Sequence, residues 1–129
     1  MSDKLLEGAK NDSGKPRYDL LSSVALDQLA RVLTNGAVEY EDHNWRKGIS
    51  MSRLIASSYR HLTAINGGED VDPQFGLLHA AHLMCCAMFI AEQTLQRPEF
   101  DDRWKPQSKE EAFVDWKEHL NKMSIRTPE

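Results

Sequence analysis

Cysteine is almost absent from this chain: among 129 residues only Cys85 and Cys86 occur, and they are neighbours. Adjacent residues on a helix point in different directions, so the two are badly placed to bridge each other, and a reducing compartment is expected. Long apolar runs are also missing. The opening MSDKLLEGAKNDSGK has nothing resembling a signal peptide, and the most apolar stretch is interrupted by His79 and His82, so a cytoplasmic protein without a membrane span is expected. There is no surplus of positive charge: 16 basic residues face 20 acidic ones, for a net charge of −4, which argues against a surface for duplex nucleic acid. Small phosphates stay open, because a divalent metal and a few local bases can offset a triphosphate. The chain contains no GxxxxGK[ST] loop, GxGxxG turn, GxSxG elbow or CxxC pair, so the common phosphate-loop and serine-hydrolase routes are unsupported. No segment alternates apolar and polar residues for long, and no repeat is present, which leaves little room for a sheet.

What is present is a helical pattern. Hydrophobic residues make up 40% and charged residues 28%, enough for one packed core in a chain of single-domain length. Residues 1–17 read as an irregular arm with Gly8, Gly14 and Pro16. Ser22 or Ser23 is placed to cap a first helix on which Leu26, Leu29, Val32, Leu33, Ala37 and Tyr40 recur at helical spacing, with Gly36 weakening it without ending it. After the connector EDHNWRKGIS, Ser50 or Ser52 is placed to cap a second helix carrying Leu54, Ile55, Tyr59, Leu62 and Ile65, which Asn66, Gly67 and Gly68 stop. From Leu77 to about Gln96 the sequence is apolar on nearly every side, as in a central or interface helix. Residues 98–107 read as a linker across the surface. Ser108 and Glu111 form a capping-box pattern before the amphipathic set Phe113, Trp116, Leu120 and Met123. The expected fold is all-α, a compact bundle of about four helices. Residues 1–97 would form the core and its arm, and 98–129 a linker and C-terminal helix of the same domain. The apolar third helix also predicts a homo-oligomer.

The chemistry-bearing residues gather around one helical hairpin. His79 and His82 stand three apart on the third helix and so project from one face, where two imidazoles can share a metal ion. Glu69, Asp70 and Asp72 crowd the loop just before them, and Pro73 and Gly76 shape the re-entry. His61 lies on the inward face of the second helix and reads as a ligand, a base or a residue behind the ligands. Acids and histidines gathered around one hairpin are what a hydrolytic metal site requires. Arg60, Lys15 and Arg17 are candidate phosphate contacts. In the connector, Trp45 reads either as a base-stacking residue or as an anchor to the core, and Asn44 and Tyr40 beside it as base contacts. Cys86 is a minor candidate ligand, one turn beyond His82.

Five blocks in order, GKPRYDLL at 14–21, NGAVEY at 35–40, NWRKG at 44–48, RHL at 60–62 and GEDVDPQFGLLHAAH at 68–82, resemble the phage dATP/dGTP diphosphohydrolase family over about residues 8–92. The resemblance implies a MazG-like all-α nucleotide pyrophosphohydrolase, which cleaves a purine deoxynucleoside triphosphate between the α and β phosphates to release pyrophosphate. It also implies a divalent metal cofactor (Mn²⁺, Mg²⁺ or Co²⁺) and, in some phages, a role in replacing adenine by 2-aminoadenine; a phage-encoded chain would work in the host cytoplasm. The chain departs from the MazG pattern, since the EExxE and ExxD motifs are missing and His79 and His82 hold the ExxD-like spacing. Imidazole suits Mn²⁺, Co²⁺ or Zn²⁺ better than Mg²⁺, which prefers oxygen ligands. On this reading Glu69, Asp72, His79 and His82 hold the metal, with Glu69, Asp72 and His61 as the catalytic candidates. Two competing readings are a metal phosphohydrolase that releases phosphate or triphosphate, and a helical interaction module without turnover.

Overall fold

A computed structural model describes residues 6–105, together with positions 118 and 122. The expected helix over 108–123 therefore lies outside the described residues. Within them the chain is all-α, with three long helices: α1 (Ser23–Glu39), α2 (Met51–Asn66) and α3 (His79–Gln96). Single 3₁₀ turns at Tyr18–Leu20, Asn44–Lys47 and Pro98–Phe100 punctuate the connections.

The helix starts show which local signals prevailed. The Ser22 hydroxyl accepts the Ala25 N–H at 3.1 Å, so the expected cap of α1 forms, and the helix runs through Gly36. At α2 neither the Ser50 nor the Ser52 hydroxyl caps its own helix. Instead the Asp102 carboxylate accepts the Ser52 backbone N–H at 2.7 Å and the Ser52 hydroxyl as well. A cap from distant sequence does the same physical work, satisfying a first-turn donor with an anion at the positive end of the helix.

α3 lies between α1 and α2 and packs more extensively on α2. Among the described residues the buried apolar side chains are Met51 and Leu54 of α2 and Ala81, Cys85 and Cys86 of α3, while those of α1 all stay partly exposed. Cys85 and Cys86 are both free thiols, and burial pushes the Cys85 thiol up to about 12, so it behaves as a small apolar core residue.

The end of α3 and the segment after it are fastened to the rest of the chain. The Gln93 side chain, 2% exposed, accepts the Ile49 N–H at 2.7 Å and donates to the Ile49 carbonyl at 2.8 Å. Arg97 donates to the carbonyls of Arg46 and Lys47, both at 3.1 Å. Gly48 adopts φ +102°, and a Cβ there would collide with the Phe100 ring, so only glycine lets the two segments close. These contacts pin the 44–49 connector to the end of α3. Gln93→Leu keeps volume but strands both polar groups of Ile49. It should cost about 3 kcal/mol of unfolding free energy, read from the urea midpoint, with helicity at low urea unchanged.

Candidate metal centre on the α2–α3 hairpin

The loop between α2 and α3 is short and closely held. Gly68, at φ +92°, turns the chain out of α2, and the Glu69 N–H closes on the Ala64 carbonyl at 2.9 Å. Val71 and Leu78 then form an antiparallel bridge, flanked by Asp72 N–H to Leu77 O at 2.8 Å and His79 N–H to Asp70 O at 2.9 Å. Gly76, at φ +72°, completes the turn. The pairing sets residues 69–72 beside the first turn of α3. Because α2 runs into this loop and α3 runs out of it, His61 near the end of α2 faces the same place.

The result is a compact cluster. His61, Asp72 and His79 each offer a ligand atom within 4.8 Å of the others. The Nδ1 atoms of His61 and His79 lie 3.0 Å apart, and the Nε2 atom of His79 lies 2.6 Å from Glu69 Oε1. The His82 ring stacks on that of His61, with centroids 4.8 Å apart and planes 7° from parallel. His82 Nε2 is buried without a hydrogen-bond partner among the described residues, 3.8 Å from Asp72 Oδ2. Asp72 Oδ1 meanwhile accepts the Gln74 N–H at 2.9 Å, an Asx turn that leaves Oδ2 to face the histidines. Unpaired buried nitrogen is costly in a folded protein and calls for a partner. Three imidazoles and a carboxylate sharing one site, one of them orphaned, fit a divalent ion of intermediate hardness.

Burial favours the neutral form of His61 and His82, the form a metal needs. Burial lowers the pKa of His61, and so does the proximity of His82 and His79, with Asp72 opposing them in part. Burial likewise lowers that of His82 against the opposing effect of Asp72. At pH 7 both rings carry a free lone pair. In the unfolded chain they protonate near the ordinary 6.5, whereas the fold delays protonation to lower pH. The unfolded state therefore binds protons first as pH falls. The metal-free protein should lose stability from about pH 6.5 downward, and His82→Asn should flatten that loss; thermal melts across pH 5–7.5 measure both.

The hairpin unites His61, Asp72, His79 and His82, and it brings Glu69 against His79. The other candidates lie elsewhere. Arg17 pairs with Asp19, and neither Arg17 nor Lys15 hydrogen-bonds to the cluster. Arg60 is exposed on α2 and has no ion pair among the described residues, and its charge acts on His61. Cys86 Sγ meets the Ser57 hydroxyl at 3.5 Å rather than the cluster. Trp45 stacks on Phe89, centroids 4.7 Å apart, with the Arg46 guanidinium 4.5 Å from the ring centroid, which ties the connector to α3. Arg46 in turn pairs with Glu92 at 3.0 Å. Tyr40, Asn44 and Trp45 do share one feature: they line a groove of 610 Å³ between α1, the connector and α3. Its lining includes Cys85, Met88, Phe89 and Glu92 of α3, the helix whose first turns carry His79 and His82. Residue-level reading missed Gln74 and Phe75, whose ring lies 5.6 Å from that of His82. The Asp–Pro–Gln order around an Asx turn was the signal for Gln74.

Fold and cluster together define an all-α chain with a histidine-rich candidate metal centre on one hairpin. The family model described as dATP/dGTP diphosphohydrolase, N-terminal, matches residues 6–103. The chain belongs to that family. It is also 36% identical over 98 residues to a dATP/dGTP diphosphohydrolase of Salmonella phage PMBT28, an alignment covering 76% of this chain and 33% of the relative. The chain thus spans about a third of that relative's length. No solved structure matches it.

Proposed function

We propose that this chain hydrolyses dATP or dGTP to the monophosphate and pyrophosphate at the α2–α3 hairpin, with a divalent metal held by His61, Asp72, His79 and His82. The observation that carries the reading is the convergence of His61, Asp72 and His79 ligand atoms within 4.8 Å, beside an orphaned His82 Nε2. The name of the phage relative supplies the substrate class, and membership of the family supports it.

A divalent ion at such a centre polarises phosphate oxygens and makes a nearby water more acidic. The chain's own residues do the rest. Neutral His61 and His82 offer lone pairs, to the ion or to the proton of an attacking water. Asp72, with Oδ1 tied to Gln74, keeps Oδ2 turned toward the site. Arg60 adds a positive charge beside His61, suited to the pyrophosphate as it leaves. Lys15 and Arg17 in the arm are further phosphate contacts in this reading. The groove along α3 takes sugar and base, with Asn44 and Tyr40 on its polar rim and the Trp45–Phe89 stack as its wall. A role in supplying 2-aminoadenine DNA synthesis follows from the same reaction, because it removes dATP and yields dGMP.

Incubating the chain with each dNTP and identifying the products by chromatography tests substrate and bond cleaved together. Monophosphate plus pyrophosphate is expected, with Mn²⁺ or Co²⁺ more effective than Mg²⁺. Release of triphosphate or orthophosphate would favour the other phosphohydrolase reading, to which a histidine–aspartate centre is also suited. Asp72→Asn and His79→Ala should each lower turnover about a hundredfold or more while circular dichroism stays helical. Ala37→Phe, which fills the groove at some distance from the histidines, should raise KM about tenfold or more and leave metal binding unchanged.

The homo-oligomer remains part of this proposal. Leu21, Val24, Tyr59 and Leu62 are each more than half exposed, an apolar surface that a second copy could cover. Light scattering should give a mass at least twice that of the chain.

A further inference from the structure

Glu69 stands apart from the atoms that converge at the centre. Its Oε1 reaches the far nitrogen of the His79 ring, Nε2, at 2.6 Å, while Nδ1 of the same ring faces His61 Nδ1 at 3.0 Å. The converging trio is His61, Asp72 and His79, without Glu69. His79 itself is 6% exposed, and the Glu69 side chain is half open to solvent on the outer side of the ring.

We infer that Glu69 acts on the metal centre through His79, as a positioning residue and not as a ligand; the inference rests on the metal reading above. An ionised carboxylate can only accept, so the proton in the Glu69–His79 contact sits on Nε2. In the neutral ring that leaves Nδ1 unprotonated and turned inward. The facing His61 Nδ1–H donates to it when no ion is bound, and the same lone pair is on offer to an ion. Ligating histidines commonly have their second nitrogen held by a carboxylate in this way, which fixes both tautomer and ring angle. The loop backbone delivers the carboxylate. Glu69 N–H is bonded to Ala64 O and His79 N–H to Asp70 O, each at 2.9 Å, so the register of the hairpin sets residue 69 beside residue 79. No substrate contact is needed for Glu69 to matter.

Two readouts test this without relying on turnover. In ¹⁵N-histidine-labelled, metal-free chain at pH 7.5, long-range ¹H–¹⁵N spectra should show His79 protonated at Nε2. That state should persist in Glu69→Gln, whose amide oxygen still accepts, and give way to mixed tautomers in Glu69→Ala. In Co²⁺ titrations followed by visible absorption, Glu69→Gln should keep the wild-type spectrum, and Glu69→Ala should weaken binding about 10–100-fold with Gln intermediate. Asp72→Asn, a ligand change, should alter the spectrum itself. If Glu69→Gln shifts the Co²⁺ spectrum as Asp72→Asn does, Glu69 is a ligand and the inference is overturned. It is equally overturned if Glu69→Ala leaves tautomer and affinity unchanged. A wild-type chain that binds no Co²⁺ would sink the metal reading and the part of the inference that concerns the ion, while the tautomer spectra would still decide whether Glu69 orients His79.

Discussion

The backbone pairing across the α2–α3 loop is the constraint on which the rest of the centre depends. Val71 meets Leu78, and hydrogen bonds on either side, Asp72 to Leu77 and Asp70 to His79, hold the register. A slip of one residue would turn Asp72 away from the histidines, because neighbouring side chains in paired extended backbone point to opposite sides. The pairing is only a few residues long and is bounded by Gly68 and Gly76, both at positive φ, where other residues would be strained. Site and fold are thus the same structure here: the loop that joins the helices also aims their side chains.

A second set of contacts supports the far end of the same helix. Gln93, Arg97, Phe100 and Asp102 grip the connector and the first turn of α2. They fix the connector that lines the groove.

Much of this was legible in order along the chain. Ser22 at the start of α1, the Asn–Gly–Gly stop after α2 and the apolar run into Gln96 all mark boundaries that the structure keeps. The gathering of Glu69, Asp72, His79 and His82 within one block also pointed to the side chains that the hairpin brings together. Other readings needed distant partners. The serines before α2 looked like its caps, yet Asp102 takes that part; the contacts of Phe100 with Gly48 and of Asp102 with Ser52 are invisible in local sequence. Trp45 was open between stacking on a base and anchoring the connector, and the structure adds the anchor, its stack on Phe89 of α3, while leaving Trp45 in the lining of the groove.

By itself the sequence determined the helical class, the hairpin and the kinds of donor gathered there, because caps, stops and periodicity act over a few residues. Only the tertiary structure decided how those donors divide their roles. His61 and His79 stand 18 residues apart in sequence and come within 3.0 Å only because the loop pairs in one register. That same register turns one nitrogen of His79 toward the centre and the other toward Glu69, a distinction set by ring orientation and burial that residue type and spacing do not carry.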